Sequence, residues 1–209
     1  MMYWTFYWIL RFLYKVFCRW EIHGIEHFPL RGGFILAVNH QSYVDPTIAG
    51  SASPRGIYYL ARESLMKNGL IRWFLTSIHV IPLDIGVGDI GAFKQCVETL
   101  HEGKPVLIFP EGTRSHDGVL RPGKPGIGLL AMMGKTDILP CYIHGSYEMF
   151  PRHGRFPQPH KLHVFFGPYL QYNEFNHLKM KKESYHKISQ RVMDEIGKLR
   201  ARAQSLSTQ

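Results

Sequence analysis

The chain has 209 residues, enough for one compact domain with a short appendage. Hydrophobic residues make up 45%, which excludes wholesale disorder, and three scattered cysteines (Cys18, Cys96, Cys141) without a C-x-x-C exclude a disulfide framework and point to a reducing compartment. Lys and Arg number 25 against 16 Asp and Glu, a formal charge of +9, so an anionic partner is expected: nucleic acid, an anionic membrane surface or a phosphorylated substrate.

Residues 1–21 form the first unit. Nine aromatics fall in the first 20 residues, no acid precedes Glu21, and Arg11, Lys15 and Arg19 recur every four residues, one basic stripe on a helix. A signal peptide is excluded by the lack of an early basic region, an unbroken apolar core and a small-residue cleavage site. A transmembrane helix would hold Arg11 near the bilayer centre at about 3 kcal/mol. An interfacial helix uses every feature: apolar side chains enter the acyl boundary and the basic stripe faces anionic lipid. A terminal helix packed on the protein's own core or in a dimer is the alternative.

Residues 22–204 form the second unit, and 205–209 read as a disordered tail. Short apolar runs predict strands at 34–38, 57–60, 80–83, 106–109, 138–143 and 162–166. Helical spacing fits Leu65, Met66, Leu70 and Phe74, then Phe93, Cys96, Val97 and Leu100, then Ile127, Leu130 and Ala131 with Gly134 as a stop. Tyr185, Ile188, Val192, Ile196 and Leu199 close the chain with an amphipathic helix. The alternation implies a single α/β domain, a largely parallel mixed sheet flanked by helices, with ligands beyond the carboxyl ends of the strands.

Two strand-end loops carry the chemistry. After the strand at 34–38 the chain reads Asn39-His40-Gln41-Ser42-Tyr43-Val44-Asp45-Pro46. Five residues on an ideal helix would leave His40 and Asp45 on different faces, so a loop must bring them together. Asp45 could then fix the His40 tautomer, leaving the other nitrogen as a general base for a hydroxyl. Asp45-Pro46 is equally a helix start, so the residues alone leave both readings open. After the strand at 106–109 comes Pro110-Glu111-Gly112-Thr113-Arg114-Ser115, with Lys124 downstream before a helix. Arg114 suits bidentate contact to phosphate or carboxylate; a Glu111–Arg114 surface pair in a polar turn is the competing reading.

The ordered set N-H-Q-S-Y-V-D, V-L-I-F-P-E-G-T-R-S, Lys124-Pro125-Gly126, Ile138-Leu139-Pro140-Cys141-Tyr142-Ile143 and Phe166-Gly167-Pro168 resembles the glycerolipid acyltransferase family, over roughly residues 24–170. The resemblance implies acyl transfer from an acyl-CoA or acyl carrier protein thioester to the hydroxyl of a lysophospholipid, typically 1-acylglycerol-3-phosphate. It implies no covalent acyl-enzyme and no cofactor. It implies His40 as general base, Asp45 as its partner, Glu111, Gly112, Thr113, Arg114 and Lys124 at the acceptor's polar end, and Pro140 shaping the acyl-donor site. The chain departs from the family in its second block, where Val80-Ile81-Pro82-Leu83-Asp84-Ile85 has Ile85 in place of an Arg linked to phosphate recognition. Arg62, Lys67 and Arg72 are the candidate replacements; the alternatives are another lysolipid, hydroxylated lipid or aminoacyl-lipid acceptor, or a non-catalytic membrane lipid-binding relative.

His23 and His27 are four apart, but Gly24 and the strand-like context argue against a helical metal pair, and no metal is expected. His160 and His163 read as surface residues near a strand start. Residues 146–160, with Arg152, His153 and Arg155, read as a surface loop placed to meet headgroups or acceptor. No DNA or RNA recognition motif occurs, so nucleic acid is not an expected partner. Together these readings predict an enzyme on the cytoplasmic face of a membrane.

Overall fold

A computed structural model describes residues 2–83 and 90–207. Seven strands form one sheet: β1 (Glu21–His23), β2 (Ile35–Val38), β3 (Tyr58–Arg62), β4 (Val80–Leu83), β5 (Val106–Ile108), β6 (Ile138–His144) and β7 (His163–Phe166). Their order is β1-β7-β6-β2-β5-β3-β4. All neighbours are parallel except β6 and β7, so the sheet is mixed but mostly parallel, as the strand–helix alternation predicts. The short β1 is not legible as a strand from its Glu-Ile-His sequence; it takes Glu21 out of the terminal unit and into the sheet.

Both sheet faces are covered, and period-two alternation divides the side chains between them. Ile35, Ala37, Val106, Ile108 and Ile138 pack beneath α4 (Ile90–His101), α5 (Gly126–Gly134) and α7 (Lys182–Ser207). Leu36, Val38, Leu107, Leu139 and Cys141 pack on the other face, against α1 (Met2–Phe17) and α2 (Asp45–Ala52). The remaining helices are α3 (Gly69–Ser77) beside β4 and the short α6 (Ser146–Met149). The helix α7 continues through Ser207, so residues 205–207 are helical rather than a disordered tail. All three cysteines are buried free thiols.

The orientation of α1 reverses the expected basic stripe. Tyr3, Tyr7 and Tyr14 point inward. The Tyr7 hydroxyl donates to the Ser53 carbonyl (3.0 Å), the Ile57 amide donates to the Tyr3 hydroxyl (3.1 Å), and the Tyr14 hydroxyl meets Thr47 Oγ1 (2.7 Å). Arg11 lies on this inner side, donating to the Ser51 carbonyl at 2.7 Å, with its guanidinium 5.4 Å from the Trp20 ring centre. Arg19 falls past the helix end with a positive φ of 44°. Only Lys15 of the three remains a solvent-facing cation of the helix itself. The outward side carries Trp4, Trp8, Ile9, Phe12, Leu13, Val16 and Phe17, with Trp8 62% and Phe12 65% exposed. Periodicity locates a stripe but not which side turns inward; hydroxyls able to satisfy backbone groups of α2 and its C-terminal turn decide that here. No helix among the described residues is long and apolar enough to cross a membrane.

Candidate active site

The carboxyl ends of β2, β3, β4 and β5 open onto a cavity of about 720 Å³. His40 and Asp45 meet there. Past Val38 the chain leaves the sheet, and the Asn39 side chain replaces the next rung of pairing: its amide donates to the Ile143 carbonyl (3.1 Å) and its oxygen accepts from the Ile143 amide (2.7 Å). His40 follows immediately. The chain then turns through Gln41–Val44 and begins α2 at Asp45, with Pro46 in the first turn.

The helix does start at Asp45, but Val44 holds the N-cap position and the Asp45 side chain makes no helix-capping hydrogen bond, so its carboxylate serves the paired reading. Asp45 Oδ2 accepts from His40 Nδ1 at 2.9 Å and from the Gln41 and Ser42 amides at 2.6 Å each. The carboxylate closes the turn and orients the imidazole at once. It is fully buried, so its charge is balanced by these donors and by the N-terminal end of α2. The imidazole stacks on Phe109, centroids 3.8 Å apart at 16°. With Nδ1 engaged by the carboxylate, Nε2 is the nitrogen left to act on a substrate, and His40 lines the cavity.

The loop at 110–115 holds His40 from behind. Glu111 Oε1 accepts from the His40 amide at 2.8 Å, Glu111 Oε2 accepts from the Arg121 amide at 2.9 Å, and the Ser115 amide donates to the His40 carbonyl at 2.8 Å. Glu111 is buried and does not line the cavity, and its carboxylate is committed to these two amides; it is a brace for the histidine rather than an acceptor-binding group. Burial pushes its carboxyl up to about 7, against the two amides, which favour the charged form. The Glu111–Arg114 surface pair does not form among the described contacts, because Glu111 faces inward.

Gly112 adopts φ +66°, and a Cβ there would come within 2.9 Å of Lys124 Cδ, so glycine serves both the turn and the seat of that lysine. Gly112, Thr113, Arg114 and Lys124 all line the cavity. The Arg114 guanidinium lies 3.3 Å from the Tyr43 ring centre, and its Nη1 is buried without a hydrogen-bond partner. Arg152, from the segment after α6, also lines the cavity and donates to the Arg114 carbonyl (3.4 Å). Of the candidate replacements for the second-block Arg, Arg62 lines the cavity while Lys67 and Arg72 do not. Ile85 itself lies outside the described residues. The remaining wall is apolar, including Leu10, Leu60, Phe74, Leu75, Val80 and Phe93.

Pro140 is elsewhere. It sits within β6 opposite Ala37 of β2, its carbonyl accepts from the Gly167 amide at 2.9 Å, and it is absent from the cavity wall. Its reach is to the sheet centre, so any effect on an acyl-donor site is indirect.

Residues 19–144 match the Acyltransferase family model. The chain belongs to this acyltransferase family. It is 30% identical over 186 residues to a 1-acyl-sn-glycerol-3-phosphate acyltransferase of Bacillus subtilis, covering 86% of this chain and 89% of that one. It is 28% identical to the chloroplastic 1-acyl-sn-glycerol-3-phosphate acyltransferase BAT2 of Brassica napus, covering 65% of this chain but 40% of the longer plant protein. The fold resembles the crystal structure of the 1-acyl-sn-glycerophosphate acyltransferase PlsC of Thermotoga maritima, with a TM-score of 0.77, 22% identity, and coverage of 95% and 80%. The acyltransferase thus shares its sheet architecture with a solved relative.

Asn39 and Phe109 were given no role in the sequence reading, and Ser115, read there as a donor of its loop, acts through its backbone amide on His40. Arg152 stood in a segment flagged for basic residues; the other three act through backbone groups or ring stacking, which have no sequence signature.

Proposed function

We propose that this acyltransferase moves a fatty acyl group from an acyl-CoA or acyl carrier protein thioester to the free hydroxyl of a lysophospholipid, foremost 1-acylglycerol-3-phosphate, giving phosphatidic acid. No cofactor beyond the thioester co-substrate takes part. The observation that carries the reading is the His40–Asp45 pair on the wall of a cavity that Arg114 also lines. His40 Nε2 takes the proton of the attacking hydroxyl while Asp45 stabilises the imidazolium that forms. The alkoxide oxygen bonds the thioester carbonyl carbon, the C–S bond breaks, and the thiolate leaves as thiol with the proton from His40. The thioester is already activated, so deprotonation and positioning suffice and no serine nucleophile is required.

Arg114, Lys124, Arg152 and Arg62 supply cationic charge for the acceptor phosphate, offsetting the departure at Ile85. The apolar wall receives acyl chain. The acceptor reaches it from a bilayer surface, because the outward side of α1 is apolar and α3 adds Leu70 (74% exposed), Ile71 and Trp73, with Phe6 of α1 packed edge-on against Phe74 of α3. On this reading the protein works interfacially on a membrane, at its cytoplasmic face, where thioesters are made.

The test is transfer of labelled acyl chain from acyl-CoA and from acyl carrier protein to a panel of lysolipids on vesicles, with His40→Ala alongside. His40-dependent acylation of 1-acylglycerol-3-phosphate supports the reading. Acylation of another lysolipid alone moves the substrate, and full activity of His40→Ala removes the base.

A further inference from the structure

Away from the cavity, β1 and β7 bring three metal-ligating side chains together. In a strand, residues two apart share a face, which puts Glu21 and His23 on one side of β1. The parallel register sets His163 directly opposite Glu21 and Phe165 opposite His23. His23 Nε2 lies 3.2 Å from His163 Nδ1; Glu21 Oε2 lies 3.7 Å from that same His23 nitrogen and 3.5 Å from that same His163 nitrogen. The three atoms therefore form a closed triangle, whereas His27, four residues from His23, ends a separate 3₁₀ turn.

We propose that Glu21, His23 and His163 form a binding site for one Zn²⁺-class dication, which clamps β1 to β7.

The size of the triangle carries the argument. Tetrahedral zinc with ligand bonds of about 2.0–2.2 Å holds its ligand atoms about 3.3–3.5 Å apart. The observed edges bracket that spacing, so one ion fits with small ring rotations and a water in the fourth position. Two imidazoles and a carboxylate select zinc and its late first-row neighbours over Mg²⁺ and Ca²⁺, which prefer oxygen alone. Burial lowers the pKa of both histidines, which favours the neutral form a ligand requires. Stacking of His23 on Phe165, centroids 4.4 Å apart at 10°, limits ring motion.

The charged side chains around the triad are cationic. Lys161 Nζ sits 2.8 Å from Glu21 Oε1, the oxygen turned away from the histidines. Arg202 of α7 lies over Phe165 at 6.0 Å. His144 of β6 is the register partner of His163, with ring centres 6.2 Å apart. The lysine and arginine oppose a dication, and Lys161 competes for the carboxylate. None of the three proposed ligands lines the cavity, so the site is independent of acyl transfer. Its effect is mechanical: β1 is a three-residue edge strand that carries α1 into the sheet.

Untagged, chelator-stripped full-length protein is titrated with Zn²⁺ in competition with a chromophoric chelator, and thermal unfolding is followed with and without Zn²⁺. The expected result is one Zn²⁺ per chain, a raised Tm, and no response to Mg²⁺. His23→Gln and His163→Gln each abolish the stoichiometric site, and Glu21→Gln, at an exposed side chain that leaves the fold intact, weakens it about tenfold or more. Lys161→Met tightens it by releasing Glu21. Absence of saturable one-to-one binding overturns the proposal. So does binding unchanged in a folded Glu21→Gln or His23→Gln protein, which would place the ion on other histidines.

Discussion

The two sides of the sheet are built to different standards. In β2 every residue is buried, β6 is buried from Ile138 through Ile143, and the two strands pair over four residues from Ile35 to Val38. In β3 no residue is fully buried, β4 buries Ile81 alone, and α3 buries none of its residues. The His40–Asp45 pair is mounted on the first side, where a shift in one side chain is resisted by close packing. The second side forms much of the apolar cavity wall and adjoins the exposed Leu70 and Trp73. Under the proposed function the difference is a division of labour: reacting groups need fixed geometry, whereas a wall that receives acyl chain would be completed by the lipid itself. A thinly packed wall can also adapt to different acyl chains, since local openings are least costly where few apolar contacts are lost.

That contrast makes quantitative demands. His40→Ala should lower turnover by about 10²–10⁴-fold while circular dichroism and unfolding midpoint stay close to wild type, because general base catalysis is worth about that much. Arg114→Ala should lower kcat/KM for a phosphate-bearing acceptor by roughly 10–150-fold, the equivalent of one charge-assisted hydrogen bond, with a much smaller effect on an acceptor that lacks the phosphate. Equal losses on both acceptors would remove Arg114 from phosphate recognition.

Glu111→Gln should destabilise the fold by about 1–3 kcal/mol, because an amide nitrogen then faces one of the two backbone N–H groups that the carboxylate accepts. Its pH dependence has a definite sign. The folded carboxyl titrates at about 7, above the ordinary 4.5, so the folded state holds the proton more tightly. The Glu111 contribution to stability is fully present below pH 4.5 and is lost as pH rises through about 7. Urea unfolding between pH 4.5 and 8 should show that decline in wild type, and the wild-type minus Glu111→Gln difference should isolate it.

On the exposed apolar side of α1, Trp8→Ser or Phe12→Ser should weaken vesicle binding about tenfold and change the unfolding free energy by less than about 0.5 kcal/mol. Sedimentation with anionic vesicles measures the first, urea titration the second. A large loss of stability instead would mean that these side chains are buried by protein rather than by lipid.

Much of this was legible in the sequence, in proportion to how local the cause is. The six strands after β1 follow from apolar runs, and α5 and α7 from their helical spacing. His40 and Asp45 were visible as a pair, but with two readings that looked exclusive; α2 does begin at Asp45, yet the carboxylate serves the histidine and the 41–42 turn rather than a helix cap. The role of Glu111 was not legible, because its partners are the amides of His40 and Arg121 and backbone groups leave no residue signature. Pro140 stood in a recognisable block yet lies in the sheet centre, since a strand motif reports packing as readily as chemistry. On α1 the period of Arg11, Lys15 and Arg19 was real, but which side turns inward depended on tertiary partners in and just after α2. Glu-Ile-His was too short and too polar to read as a strand.

The inward face of α1 has a consequence for anyone who would shorten the chain. Tyr3, Tyr7 and Arg11 are hydrogen-bond partners of the Ile57 amide and the Ser53 and Ser51 carbonyls, and Tyr3, Phe6, Tyr7 and Leu10 form part of the cavity. A truncated protein beginning at β1 would strand those peptide groups beside exposed core and lose one wall of its own substrate chamber. The segment that looks like a detachable anchor is therefore an integral part of the enzyme, and solubility would have to be sought by repainting its outer side chains rather than by cutting it away.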